Sequence, residues 1–342
     1  MKVGMYYNNS DVRVEEIPKP TVDNKDILIK VNVCGICGSD ILEWYRIKKA
    51  PLVLGHELSG EVIQVGNDIT KFKPGDRVFS THHVPCNECH YCLTDHETAC
   101  VTFQTKNNFN PGGFSEYLKV SGRSVDTGTL RLPDEVTYEE ASFIEPLGTV
   151  VRGLRRLELK PGDSMLVLGA GIAGILMIKL GKALGAGRII ATDINDIRLD
   201  SAKKFGAEHV FNASDDIPKV IKEVNNDKLA DKVVICTGAL SAVKQALKSV
   251  DKGGTVMFFA VPTPDETVDI DFNPYWRDDI SFITSYGAAP QDNQKALELI
   301  RAGNINVKDM ITHRLSLNEI AKGFELAGKG EGLKILIKPN MS

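Results

Sequence analysis

Nothing in the 342 residues approaches the run of about 18 apolar residues that a membrane-spanning helix requires. The opening segment MKVGMYYNNSDVRVEE lacks the apolar stretch of a secretion signal, which makes a cytoplasmic protein the expectation. An excess of one charge is missing as well: 41 Lys and Arg against 45 Asp and Glu leave a net charge of −4. With neither a basic field nor an acidic tail, nucleic acid is a poor partner. Repeats and low-complexity segments are absent. Seven cysteines in a long chain without a secretion signal point to metal binding or catalysis rather than to disulfides, and five of them fall between residues 37 and 100.

What is present is an ordinary globular composition, 42% apolar and 25% charged, in a chain longer than one core comfortably serves. Two domains follow as the expectation. Residues 1–140 read as short strands with turn punctuation, such as DVRVEEI, DILIKVNV, LSGEVIQVG and GDRVFS, broken by Pro18, Pro20, Pro74-Gly75 and Pro85. The pattern changes after Pro146. A helix from about Thr149 is followed by short apolar runs alternating with amphipathic helices: SMLVLGAG, RIIATDI, HVFNA, KVVICTG and GTVMFFAVP are the runs. That alternation predicts a doubly wound parallel sheet. From about Asp279 the chain mixes strands and helices again, and the final strand KILIKP is expected to return to the first domain.

Three stretches carry chemistry. The first runs from Cys34 to Glu57 and puts a thiol (Cys37), an imidazole (His56) and a carboxylate (Glu57) within about twenty residues, in apolar surroundings. These are ligand types for an ion such as Zn²⁺, and two adjacent ligands with one distant ligand suit an open catalytic site. A core cysteine near a satisfied histidine would give the same local pattern.

The second is Gly169-Ala170-Gly171-Ile172-Ala173-Gly174, a GxGxxG between a strand and a helix. Its glycines allow a tight turn, close approach of a pyrophosphate to backbone amides, and close packing of helix on sheet. The helix N-terminus adds free N–H groups and the positive end of its dipole. Asp193 ends the next strand, where an acid accepts hydrogen bonds from ribose hydroxyls and repels a 2′-phosphate. NAD is therefore expected over NADP, with Arg198 the nearby basic residue that argues the other way.

The third is Cys86-x2-Cys89-x2-Cys92-x7-Cys100, four thiols that would close a tetrahedral structural Zn²⁺ site. Iron–sulfur ligation uses similar spacings, but a loop beside a hydride-transfer site needs no one-electron carrier. His82, His83, His90 and His96 flank the loop and read as solvated loop residues.

Taken together, CGICGSD, LGHELSGEV, KPGDRV, the four-cysteine loop, GGFSEY, IEPLG, the GxGxxG unit and KFGA resemble the zinc-dependent medium-chain dehydrogenase/reductase superfamily over nearly the whole chain. The sorbitol (polyol) and threonine dehydrogenase branches are the most similar. The resemblance implies a mixed α/β chain: a GroES-like β-rich catalytic domain at 1–148, completed by 281–342, and a Rossmann NAD-binding domain at 149–280. The active site is expected in the cleft between them. It implies a catalytic zinc on Cys37, His56 and Glu57, with Glu145 a further ligand directly or through water, and a structural zinc on the four-cysteine loop. Cys34 is expected in the core. Asp40 would orient the zinc histidine, and Ser39 would hydrogen-bond the reacting alcohol. Gly169, Gly171, Ile172, Ala173, Gly174, Asp193, Arg198 and Thr237 would hold the cofactor. A homotetramer or homodimer is the implied assembly.

Two departures from the family pattern stand out. Leu42 occupies the place where many members carry a proton-relaying histidine, so the proton must leave through Glu57 or Glu145 and ordered water, or along the cofactor ribose. The segment Asp40–Pro51 is short and carries Trp44, Tyr45 and Arg46, which either line the pocket or pack; Tyr286 and Arg152 are further pocket candidates. The expected activity is NAD-dependent oxidation of a secondary alcohol of a polyol or sugar alcohol. The alternatives are an L-threonine 3-dehydrogenase or another vicinal amino- or hydroxy-alcohol dehydrogenase, and a non-catalytic dinucleotide-binding protein. A nucleic-acid reader built on the cysteine loop is disfavoured by Glu88, Asp95 and Glu97.

Overall fold

A computed structural model describes residues 1–341, which divide into two compact units. One is Met1–Gly148 together with the segment from Ala288 onward; the other is Thr149–Gly287.

The first unit is built on an eight-stranded sheet. Its centre is Asp26–Gly35, whose side chains are buried except at Lys30 and Asn32. That strand pairs antiparallel with Glu57–Val65, Tyr117–Ser121 and Lys334–Lys338, which explains why its sequence is apolar over more than one face. The final strand thus enters the first unit, beside Ile311–Ser316. Ile27, Ile29, Cys34, Leu58, Phe114, Phe324 and Ile337 belong to one apolar core.

The second unit holds six parallel strands in the order His209–Asn212, Arg188–Asp193, Ser164–Leu168, Ala230–Ile235, Val250–Phe258, Ser281–Thr284. This is the doubly wound order in which the first strand lies beside the point where the order reverses. Ser164–Leu168 is buried at every residue, as a central parallel strand must be.

Two expectations shift. The sequence pattern groups Ser281–Thr284 with the segment that completes the first domain, yet it extends the parallel sheet beside Val250–Phe258, and the division falls after Gly287. As an edge strand with both ends exposed, it carries none of the continuous apolar character of the inner strands. The helix expected from Thr149 starts at Ile144 and runs to Leu157. Pro146 does not stop it, because in the first turn the missing N–H has no partner to lose.

Where three strands of the first unit meet, Gly35 lies opposite both Glu57 and Leu336. A Cβ there would come within 2.5 Å of Glu57 Oε2 and 2.6 Å of Lys334 Cε. The glycine leaves room for Lys334 to reach Glu57 in an ion pair in which neither side chain is exposed. The ammonium also lies 5.4 Å from the Phe143 ring centroid. Removing one member of a buried pair strands the other charge without water. On chelator-treated protein, Lys334→Met should therefore cost about 3–5 kcal/mol of unfolding free energy, and adding Glu57→Gln should return part of it. Urea unfolding measures both; an unchanged midpoint for Lys334→Met would mean the pair carries no stability.

Candidate active site and metal centres

The Gly38–Ile41 turn presents the first ligand-type side chain. Cys37 caps it, its sulfur accepting the N–H of Ser39 at 3.4 Å, while Asp40 reaches back to accept the Cys37 N–H at 3.0 Å. This reciprocal cap fixes the thiol on a short, otherwise weak helical turn. His56 and Glu57 come from the start of the strand Glu57–Val65 and the residue before it. The ligand atoms of Cys37, His56 and Glu57 lie within 4.8 Å of one another.

Asp40 is fully buried. Its Oδ1 stands 3.5 Å from His56 Nδ1 and 3.6 Å from Arg46 Nη2. Burial alone would raise its pKa, but His56 and Arg46 outweigh burial and lower it. Burial likewise opposes an imidazolium at His56, yet Asp40 and Cys37 raise the His56 pKa well above its ordinary value. With Nδ1 turned to a carboxylate, Nε2 is left as the ligand nitrogen. Glu57 meets Lys334 through Oε2, while Oε1 is buried with no hydrogen-bond partner. An orphaned anionic acceptor beside a thiol and an imidazole fits a divalent cation.

Glu145 stands outside that group of three. Burial, with Glu57 and Asp40 adding to it, raises its pKa to about 7 against the pull of His56 and Lys334. Cys34 is fully buried in the core, where burial raises its pKa well above the thiol norm, and it stands outside this group.

Around the group, Ser39 Oγ donates to Cys37 Sγ at 3.4 Å and accepts from Arg46 Nη2 at 3.0 Å. Arg46 Nε donates to the Ser39 carbonyl at 2.9 Å. His82 departs from expectation. It is half-buried, with its ring centroid 5.3 Å from that of His56, and burial depresses its pKa well below the usual imidazole range. His83 is half-buried too, bonded to the Lys106 carbonyl at 3.0 Å; His90 and His96 are exposed. In the second unit Tyr286 is exposed and Arg152 is buried.

The loop thiols of Cys86, Cys89, Cys92 and Cys100 also lie within 4.8 Å of one another. Cys86–Cys92 and Cys89–Cys92 sulfur separations of 3.8 and 3.5 Å are far beyond a disulfide bond. Cys100 is lowered to about 6: burial works against its thiolate, and the backbone N–H groups of Cys86 and Phe103 overcome it. Cys92 is raised to about 12 by burial and by its bond with Cys89. Four sulfurs so close cannot all ionise without a cation, which is the chemistry of a thiolate-bound metal.

In the second unit, the turn after Ser164–Leu168 places Gly169 at φ +98°. A Cβ at Gly174 would fall 1.9 Å from the Gly169 carbonyl oxygen, whereas a Cβ at Gly171 would meet nothing within 4 Å. Gly171 caps the helix Ile172–Ala183 without a side-chain bond to its first N–H groups. Free N–H groups and open space are what a pyrophosphate needs. Asp193, nearly buried, accepts the Ala170 N–H at 2.8 Å and the Asn195 N–H at 3.0 Å, with Arg198 Nη1 at 3.8 Å. Thr237 Cβ lies 3.1 Å from where a Gly169 Cβ would sit.

Sequence reasoning passes over Lys334, and reads Arg46 as one of five pocket candidates and, with Arg152, as a basic partner for a substrate carboxylate. A lysine opening an apolar strand is the available signal for Lys334. For Arg46 there is only its seven-residue distance from Ser39, which a short helix closes.

The alcohol dehydrogenase GroES-like domain family matches residues 23–133, and the zinc-binding dehydrogenase family matches residues 173–302. The chain is 33% identical to a sorbitol dehydrogenase of Bacillus subtilis, covering 99% of this chain and 98% of that one. It is 32% identical to an L-threonine 3-dehydrogenase of Bacillus licheniformis, over 95% and 94%. Its structure matches that of the alcohol dehydrogenase TADH from Thermus sp. ATN1 with a TM-score of 0.89, at 30% identity and 99% coverage of both chains.

Gly171 and Gly174 separate binding from packing. Gly174→Ala should destabilise the protein by about 1–3 kcal/mol through overpacking. Gly171→Ala should leave the unfolding midpoint unchanged but weaken NADH binding about tenfold, by setting a methyl group against the phosphates. Thermal unfolding and NADH fluorescence titration of the two variants check the split.

Proposed function

Because the chain belongs to the zinc-dependent medium-chain dehydrogenases, we propose that it oxidises a secondary hydroxyl of a polyol or sugar alcohol to a ketone, with Cys37, His56 and Glu57 as the catalytic centre. The observation that carries this reading is the gathering of those three side chains around the orphaned Glu57 Oε1. When bound there, zinc would supply Lewis-acid chemistry at the alcohol oxygen, and a nicotinamide dinucleotide held by the second unit would supply the hydride acceptor.

The chain's own residues do the rest. Asp40 holds His56 and the Cys37 backbone in the orientation a ligand needs. Ser39 Oγ relays the hydroxyl proton, accepting it as its own proton passes onward, with the Arg46 guanidinium donating to the same oxygen. Leu42 offers no onward acceptor, so the proton would leave through Glu57 or Glu145 and ordered water, or along the cofactor ribose. Glu145 would also hold the zinc as a further ligand, directly or through water. Lys334 pairs with the Glu57 carboxylate in a buried place, where a lone charge would be costly.

A second, structural zinc belongs to Cys86, Cys89, Cys92 and Cys100. Gly169, Gly171, Ile172, Ala173, Gly174, Asp193, Arg198 and Thr237 form the dinucleotide site, and the Asp193 carboxylate favours NAD over NADP. The proposed setting is cytoplasmic, and by family resemblance the enzyme is a homotetramer or homodimer. L-Threonine is the alternative substrate, since a threonine dehydrogenase is among the relatives and Arg46 stands beside Ser39.

NADH formation should follow addition of NAD and a polyol such as D-sorbitol, and should disappear on dialysis against a chelator; activity surviving complete metal removal would refute the zinc mechanism. Metal analysis should find two ions per chain, one lost in Cys37→Ser and the other in Cys89→Ser. Asp193→Ala should relax the preference for NAD, and a wild type that prefers NADP would overturn the ribose argument.

A further inference from the structure

Beside the proposed catalytic centre, the residues from Tyr45 to Lys49 gather positive charge that the alcohol chemistry itself does not require. Arg46 lies with its guanidinium 4.7 Å from the Tyr45 ring centroid, and Lys49 Nζ lies 5.6 Å from the same ring. The ring fixes two flexible cations on one spot. Arg46 is only 14% exposed, and its Nε and Nη2 are committed to Ser39, the hydroxyl next to Cys37. Its Nη1 makes no hydrogen bond among the described residues. That leaves a donor pair of the planar fork open to a ligand held at Ser39.

The same cations face the metal side. His82 packs against His56, and after burial the neighbours that depress His82 are His83, His56, Arg46 and Lys49. His83 is depressed by burial and then by His56, Lys49 and Arg46, against the bond to Lys106. The opposing acids are Asp40, buried and already turned to His56 and the Cys37 N–H, and Glu43, exposed on the same short helix. Lys48 adds a further exposed cation.

We propose that the alcohol oxidised here carries an anionic group, a phosphate ester or a carboxylate, bound by Arg46 and Lys49 while its hydroxyl lies at Ser39. This rests on the dehydrogenase reading and narrows its substrate class. Arg46 ties the two ends of such a substrate together: one edge of the guanidinium orients the proton-accepting hydroxyl and the other takes the anion. A neutral polyol leaves that second edge with water alone.

The test compares D-sorbitol, D-sorbitol 6-phosphate and L-threonine as substrates of the zinc- and NAD-loaded enzyme, with Lys49→Gln and Arg46→Gln beside the wild type. Inorganic phosphate binding by calorimetry is the readout that needs no turnover. At least one anionic substrate should exceed sorbitol in kcat/KM by about tenfold or more, and which one does so distinguishes phosphate from carboxylate. Lys49→Gln should raise KM for that substrate about fivefold and leave sorbitol unchanged. Phosphate should bind in competition with that substrate, weaken with salt, and be lost in Arg46→Gln. Sorbitol equal to or better than both anions, with Lys49→Gln indistinguishable from wild type and no phosphate binding, would overturn the proposal and leave the dehydrogenase intact. Phosphate binding that depends on Arg46, with no NADH from any of the three, would retain the anion site and refute the polyol and threonine readings instead.

Discussion

The Asp40 carboxylate is the constraint on which the first unit's chemistry depends. It is fully buried, yet it faces His56, accepts the Cys37 N–H and draws in Arg46. One anion therefore sets the capped turn that carries the thiol, the ring face of the imidazole and the approach of the guanidinium. A buried carboxylate is costly unless its partners are charged or donate to it. Here the same groups that stabilise it are those the reaction needs in place, so the local fold and the site hold each other in register.

The parts of this arrangement that are close in sequence can be read from sequence. Cys37 and Asp40 share one turn, and His56 and Glu57 are consecutive, so ligand types and their spacing are visible in the order of residues alone. The GxGxxG turn is visible for the same reason: Gly169 and Gly174 answer to sterics inside a single strand–turn–helix unit. Lys334 cannot be seen this way. It stands 277 residues from Glu57, and only the antiparallel pairing of the last strand with Asp26–Gly35 brings it across. His82 reads wrongly as a solvated residue because a histidine before a cysteine loop has no periodicity to mark its burial; Phe109 and His56 pack against it from distant parts of the chain. Ser281–Thr284 reads as part of the wrong unit because an edge strand of a parallel sheet looks like any short, half-exposed strand.

The two thiol-bearing sites solve opposite problems with the same atom. At Cys37 the sulfur stands with an imidazole and a carboxylate that has one oxygen unspent, leaving coordination for a substrate. At the loop, four sulfurs surround one point and leave none. Packing alone would not hold that loop, since Cys86, Cys89 and Cys92 are only half-buried and Leu93 and Val101 are exposed. The structural zinc proposed there would supply the order that packing does not.

The lateness of Lys334 bears on how the protein is made. Glu57 leaves the ribosome 277 residues before its counter-charge exists. At ordinary synthesis rates that interval is roughly a quarter of a minute to a minute. Throughout it the nascent sheet lacks its Lys334–Lys338 strand, and the Cys34–Gly35 end of the Asp26–Gly35 strand stands without that partner. The second unit, contiguous in sequence, can close during that wait. The first unit is therefore the last to be finished although it is the first to be translated, and it is the one exposed to premature pairing with a neighbouring chain.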